Sequence, residues 1–386
     1  MNPLDATKGS QAEMTAWRRE LHAYPELAYE EKRTADFIAG RLAAFGLKVH
    51  RGLGRTGVVG TLEAGAGGAI ALRADMDALP VKEENAFAHR SRNEGRMHAC
   101  GHDGHAAMLL GAAKYLAASR RFRGIVHFVF QPAEEGGGGA REMIKDGLFE
   151  KFPCDAVYGM HNWPDLPLGR FGVKAGPLMA SSDKFEIELR GRGCHAAAPH
   201  NGVDLVAAAA ALVQSLQTVV SRSVDPAEPV VLSVTQLHAG DAYNVIPCGA
   251  LLRGTVRAFS PGVQELVERR MREICGGLGS AFGAEVELRY TRNYPATVND
   301  EKQAAVCAAA AAAVVGEANV VKPRPVMGAE DFSFMLQRRP GCYVLAGSGL
   351  PSLAAPLHNP GYDFNDDLLP LGAAYWAELA ERVLAP

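Results

Sequence analysis

The residues best equipped for chemistry are Glu134 and Glu135, two carboxylates in the run Gln131-Pro132-Ala133-Glu134-Glu135. They follow an apolar stretch, Ile125 to Phe130, that reads as a buried strand. Neighbouring residues of an extended segment point to opposite sides, so one carboxylate can hold a metal ion while the other stays free to move a proton. Cys100 offers a thiol, and His102, His161 and His358 offer imidazoles. Such a donor set suits metal-assisted hydrolysis. Cys100 has a second reading, as a nucleophile with His102 or His161 as its base. The paired glutamates and the surplus of imidazoles fit metal better, because a thiolate already bound to metal attacks poorly. A lone buried cysteine or histidine is more often core packing. The glutamate pair is harder to dismiss, since burying carboxylates without a counter-charge is costly.

Three of these clusters sit just past apolar strands. Asp75 and Asp77 follow Ile70 to Leu72, the glutamates follow Phe130, and His161 follows Val157. Ligand sites of α/β sheets gather outside the carboxyl ends of strands, so these residues can converge. Around them the pattern predicts helices over 14–23, 31–45 and 104–118, and strands over 48–50, 57–62, 69–74, 125–131 and 156–160. The character then changes. Strand 183–190, helix 204–220, strands 230–237 and 250–259, helix 262–281 and strand 285–290 spell β-α-β-β-α-β. Helix 301–315, a strand near Tyr343 and helix 366–384 return to the first pattern. The expected fold is α/β: a layered catalytic domain with a mixed, partly parallel sheet (1–180 and 295–386), plus an inserted ferredoxin-like α+β domain (181–294).

The bulk numbers narrow the field. A chain of 386 residues exceeds what one core usually serves. A net charge of −3 with no long run of one sign argues against nucleic acid or an anionic membrane as partner. Seven cysteines without framework spacing suit a reducing compartment. No signal-peptide core or membrane-spanning stretch is read, so a cytoplasmic location is expected. Gly52-Leu53-Gly54-Arg55-Thr56-Gly57 matches a dinucleotide fingerprint, but a strand-like Val58-Val59-Gly60 follows where that motif needs a helix. A hairpin explains the glycines. Glu330-Asp331 reads as charge favoured at a helix N-terminus.

Seven segments in order then carry a resemblance. Residues 19–27 (RELHAYPEL), 97–105 (MHACGHDGH), 131–136 (QPAEEG), 159–164 (GMHNWP), 195–200 (HAAAPH), 244–247 (NVIP) and 358–366 (HNPGYDFND) resemble the hippurate hydrolase family of N-acyl-amino-acid amidohydrolases. That family is similar to the plant auxin-conjugate hydrolases, within the dinuclear aminoacylase and carboxypeptidase group. The resemblance implies two divalent metal ions per subunit (Zn, Mn, Co or Ni) held by Cys100, His102, Glu135, His161 and His358, with Cys100 bridging. It implies Glu134 as general base, Asp77 as its supporting acid, and His195 as the group that polarises the substrate carbonyl, in dimeric relatives from a neighbouring subunit. Asn244 and Arg257 match positions that hold the substrate carboxylate. His22, His105 and His200 are expected to be supporting or structural, and a structural role for His195 at its strand–loop junction also stands open. Cys194 stands where glycine is usual and Ala329 where serine is common; Asp75 replaces the broader group's first metal-site histidine. The implied function is hydrolysis of N-acyl or N-aroyl amino acids by a homodimer or higher homo-oligomer. A dipeptidase or carboxypeptidase using the same site, and a catalytically silent metal-binding protein, are the rivals.

Overall fold

The structure, a computed structural model, describes residues 2–349 and 355–385. It divides into two compact units, one of residues 1–178, 298–324 and 331–386, the other of 179–297 and 325–330.

The first unit is built on an eight-stranded mixed sheet. Its strands lie in the order Lys48–Leu53, Gly57–Ala64, Gly124–Gln131, Ala69–Asp75, Ala156–Pro167, Gly341–Gly349, Phe171–Gly172 and Val320–Val321. The first three pair antiparallel, and the first two form the hairpin whose turn holds Gly54 to Thr56. From Gly124–Gln131 through Ala69–Asp75 and Ala156–Pro167 to Gly341–Gly349 every pairing is parallel. These central strands are buried almost throughout, as parallel strands covered on both faces must be, which is why they read as unbroken apolar runs. Helix His102–Ser119 and helix Leu368–Val383 supply much of the covering layer through Ala106 to Ala113, Leu116, Ala373 and Trp376. The parallel strands share a direction, so their carboxyl ends, with Asp75, Gln131 and His161, open on one side of the sheet.

The second unit has four strands in the order Val230–Ala239, Gly249–Ala258, Ser182–Arg190 and Glu285–Tyr294, each antiparallel to its neighbour. With helices Leu205–Thr218 and Pro261–Phe282 between them, this is a split β-α-β-β-α-β unit. Asp204 caps the first helix through the amides of Val206 and Ala207, and Ser260 caps the second through Val263. One sheet face and both helices enclose a separate core of Phe185, Ile187, Leu212, Leu252, Val267 and Met271. The unit also takes in 325–330, because Ala180 N–H donates to Val326 O and Gly328 O. Against the expectation that no stretch is long and apolar enough to cross a membrane, the helical stretch Leu205–Ser223 is so by length and composition. Its Leu205, Ala208, Ala209, Leu212 and Leu216 pack in the core just described.

Candidate metal centre and active site

Five donors from four separate segments of the first unit converge. Cys100, His102 and His161 form one group and Cys100, Glu135 and His358 a second; in each group the donor atoms lie within 4.8 Å of one another. The two groups share the Cys100 thiol. Cys100 Sγ is 3.4 Å from His161 Nε2, and His358 Nε2 is 3.3 Å from Glu135 Oε1. The ring orientations are fixed from behind. Asp77 Oδ1 is 3.2 Å from His102 Nδ1, and the Asn162 carbonyl is 2.6 Å from His161 Nδ1. A proton on each Nδ1 leaves Nε2 with its lone pair toward the site, the arrangement metal-binding histidines adopt. His102 Nε2 is buried and has no hydrogen-bond partner among the described residues. Asp77 does double duty, since its Oδ2 accepts the Glu135 peptide N–H at 3.0 Å.

The electrostatics call for a cation. Hydrogen bonds to Cys100 and Glu135 push the His358 imidazole up to about 10. Burial and the nearby Glu135 raise the Cys100 thiol. Around His102, burial opposes protonation, but Asp75 and Cys100 prevail and raise it well above the ordinary range. A divalent ion would take the place of those protons. One thiolate, three imidazoles and a carboxylate fit Zn²⁺ or a later transition metal better than Mg²⁺ or Ca²⁺, which prefer oxygen.

Beneath the donors lies a buried polar network. Arg73, 1% exposed, donates to Asp75 (2.9 Å), Gln131 (2.8 Å) and Asp331 (3.0 Å). Asp75 Oδ1 holds His105 Nδ1 at 2.6 Å, and His105 Nε2 accepts the Asn162 N–H at 3.0 Å. Nε2 also lies 2.7 Å from Asn162 Oδ1, so both His105 nitrogens have partners, and with Asp75 and His102 it forms a further group close enough to hold an ion. Gly101, at φ +93°, links Cys100 to His102; a Cβ there would lie 2.3 Å from Asn162 Oδ1. The turn after Gln131 is equally tight. Ala133 has φ +54°, and a Cβ on Gly139 would lie 1.7 Å from the Pro132 carbonyl. Ala133 N–H donates to Glu31 Oε1 at 2.9 Å. Burial pushes the Glu31 carboxyl up to about 7. Glu134, buried, receives the Asp331 N–H on Oε1 at 3.4 Å.

His22 is packed elsewhere in this unit, with Nδ1 2.8 Å from Asp103 and Nε2 3.1 Å from Glu83. Burial lowers its basicity, but those two carboxylates more than reverse this and push it up to about 9.

The remaining candidates lie in the second unit. His195 and Asn244 are exposed, and His195 pairs with Val245 in a short two-stranded ladder. Ala197 N–H donates to His195 Nδ1 at 3.1 Å, which leaves the ring proton on Nε2, available to a substrate oxygen. The Asn244 carbonyl accepts the Ala196 N–H at 2.9 Å. Arg257 lies on the sheet face that carries no helix, beside Ser182, Lys184 and Thr255. No carboxylate stands within ion-pair distance of it among the described residues. Burial lowers its pKa, opposed by Asp183. His200 is exposed.

Sequence reasoning missed Arg73, Glu31 and Asn162. The signal for Arg73 was there: a charge inside a strand otherwise apolar on both faces must have buried partners. Asp331 needs a correction. It does precede the short helix Ser333–Leu336, but its carboxylate is committed to Arg73, Gln131 and the Ala140 N–H rather than to a helix dipole.

Residues 71–382 match Peptidase family M20/M25/M40. The chain is 42% identical over 386 residues to a hippurate hydrolase of Campylobacter jejuni, covering all of both chains. It is 36% identical over 394 aligned positions to thermostable carboxypeptidase 1 of Saccharolobus solfataricus, covering 99% of each. Among solved structures, a Bacillus subtilis protein described as a dinuclear metal binding peptidase of the M20 family aligns with a TM-score of 0.86 at 34% identity, over 98% of this chain and 99% of the other.

Proposed function

From the premise that this chain belongs to peptidase family M20/M25/M40 and is a hydrolase of amide bonds, we propose that it cleaves N-acyl or N-aroyl amino acids with the help of two divalent metal ions. The observation that carries this reading is the pair of donor groups sharing Cys100, with Glu134 directly beside one of their members. Cys100, His102 and His161 would hold one ion, and Cys100, Glu135 and His358 the other. When bound, such ions polarise a carbonyl and lower the pKa of water toward neutral. Glu134 takes the proton of the attacking water and returns it to the departing amine. His195 offers its Nε2–H as a hydrogen bond to the carbonyl oxygen as negative charge develops there, a stabilisation that is commonly the largest single contribution to such catalysis. Arg257, whose guanidinium has no carboxylate of its own, grips the substrate carboxylate with Asn244. Asp77 keeps His102 in the tautomer that binds metal and holds the Glu135 peptide in register.

Support for the acyl-amino-acid substrate comes from the hippurate hydrolase relative, identical at 42% over the whole chain. The carboxypeptidase relative keeps peptides as a second reading, since the same donors serve both bonds. The deciding experiment is hydrolysis of hippurate, N-acetyl amino acids and dipeptides by chelator-stripped enzyme, before and after addition of Zn²⁺, Mn²⁺, Co²⁺ or Ni²⁺. Activity on the acylated amino acids should vanish on stripping and return with metal. Activity indifferent to chelation would revive Cys100 as nucleophile, and faster turnover of dipeptides would move the substrate to peptides.

A further inference from the structure

We propose that Glu31, assisted by Tyr29, is a positioning residue for the turn 131–139: it holds Ala133 in a left-handed backbone conformation and so aims Glu134 and Glu135. The inference rests on the roles proposed above for those two glutamates.

Glu31 is fully buried, yet it pairs with no lysine, arginine or histidine among the described residues. A buried carboxylate without a cation needs a reason. Its two oxygens are occupied by the Thr56 hydroxyl (2.7 Å) and the Ala133 peptide N–H (2.9 Å). Glu31 also stands at the N-cap position of helix Lys32–Ala44, where an acidic side chain ordinarily accepts an amide of the first turn. Here its side chain makes no such bond and reaches instead to a residue far along the chain.

What it reaches is the strained point of the turn. Ala133 is one of five non-glycine residues with positive φ among those described, and it is completely buried. Left-handed backbone is unfavourable for alanine and persists where surroundings over-determine it. Pro132 has no N–H, so the Ala133 N–H is the first donor that can be held after the strand ends. Tyr29, two residues before Glu31, donates its hydroxyl to the Gly137 carbonyl at 2.7 Å. One short segment therefore grips the turn on both sides of the two glutamates. Any rotation about Ala133 would swing Glu134 and Glu135 together.

The test compares Glu31→Ala, Ala133→Gly, their combination and Tyr29→Phe, reading kcat, KM and the rate at which a chromophoric chelator strips metal. Glu31→Ala should lower kcat about tenfold or more with KM little changed, because misplacement of a catalytic group acts on the chemical step. Metal should also leave faster, because Glu135 rides on the same turn. Glycine accepts positive φ without strain, so adding Ala133→Gly to Glu31→Ala should restore kcat to within about threefold. A general loss of stability would not be repaired that way. Tyr29→Phe should move both readouts in the same direction by less. Unchanged kcat and stripping in Glu31→Ala, or a loss that Ala133→Gly leaves in place, overturns the proposal. Should Glu31→Ala fail to fold, unchanged readouts in Tyr29→Phe overturn it. If the wild-type chain turns over no N-acyl amino acid, the functional reading fails instead, and the stripping rates still decide the role of Glu31.

Discussion

Glu134 and Glu135 are adjacent in sequence and differ in what their carboxylates meet. Glu135 Oε1 faces His358 at 3.3 Å, within the thiolate–imidazole group, whereas Glu134 Oε1 takes a backbone N–H from Asp331. This difference is in keeping with the proposed roles, Glu135 as a ligand and Glu134 as the group that exchanges a proton. Glu134→Gln preserves the shape and the hydrogen-bond acceptor but removes the proton site. We expect kcat to fall by roughly 10²–10⁴, the span general base catalysis supplies, with metal content unchanged. Metal analysis beside steady-state kinetics checks this, and a variant with normal turnover would take the proton transfer away from Glu134. At this scale the donors were legible because thiol, imidazole and carboxylate are conspicuous by type. Arg73 showed only as a charge inside an apolar strand, and Glu31 not at all, because the partners of a buried charge, here up to 258 residues away, are out of view in the sequence.

Among the elements, helix Gln11–Ala23 is tied to the irregular segment after Leu79 through His22, which lies between Asp103 and Glu83. Folding raises its pKa from 6.5 to about 9, so the folded state favours the protonated ring. That stabilisation is fully present below about pH 6.5 and is lost as pH rises through 9. Glu31 has the opposite starting charge and a separate window: its carboxyl is raised from 4.5 to about 7, so its ionisation costs stability over that lower range. Between pH 7 and 9.5, therefore, the melting temperature should fall more steeply for the wild type than for His22→Gln, and the two curves should converge. Parallel curves would show that His22 is not ionised in the fold. Helices and central strands were readable from apolar runs and caps. The strands Phe171–Gly172 and Val320–Val321 were not, since two residues carry no periodicity.

For the whole molecule, two separate cores imply two separable meltings. Cys100, His102, Glu135, His161 and His358, the five donors proposed for the ions, all belong to the first unit. Calorimetry should show two transitions, of which chelation lowers only the one belonging to that unit, because a ligand stabilises what it binds. A single transition that moves as a whole would refute this. The β-α-β-β-α-β order was visible because its strands alternate polar and apolar, one face being open; the order of strands within the first sheet was not, because parallel neighbours are distant in sequence. That distance matters to a chain being synthesised. Strand Gly341–Gly349 fills the place beside Ala156–Pro167, yet the entire second unit is made between them. A growing chain can thus close its later-made unit while the earlier one still presents a naked sheet edge, the kind of surface that chaperones shield. The proposed donors are made in the same order: Cys100, His102 and His161 precede the second unit and His358 follows it, so that half of the proposed site exists before the other half is synthesised.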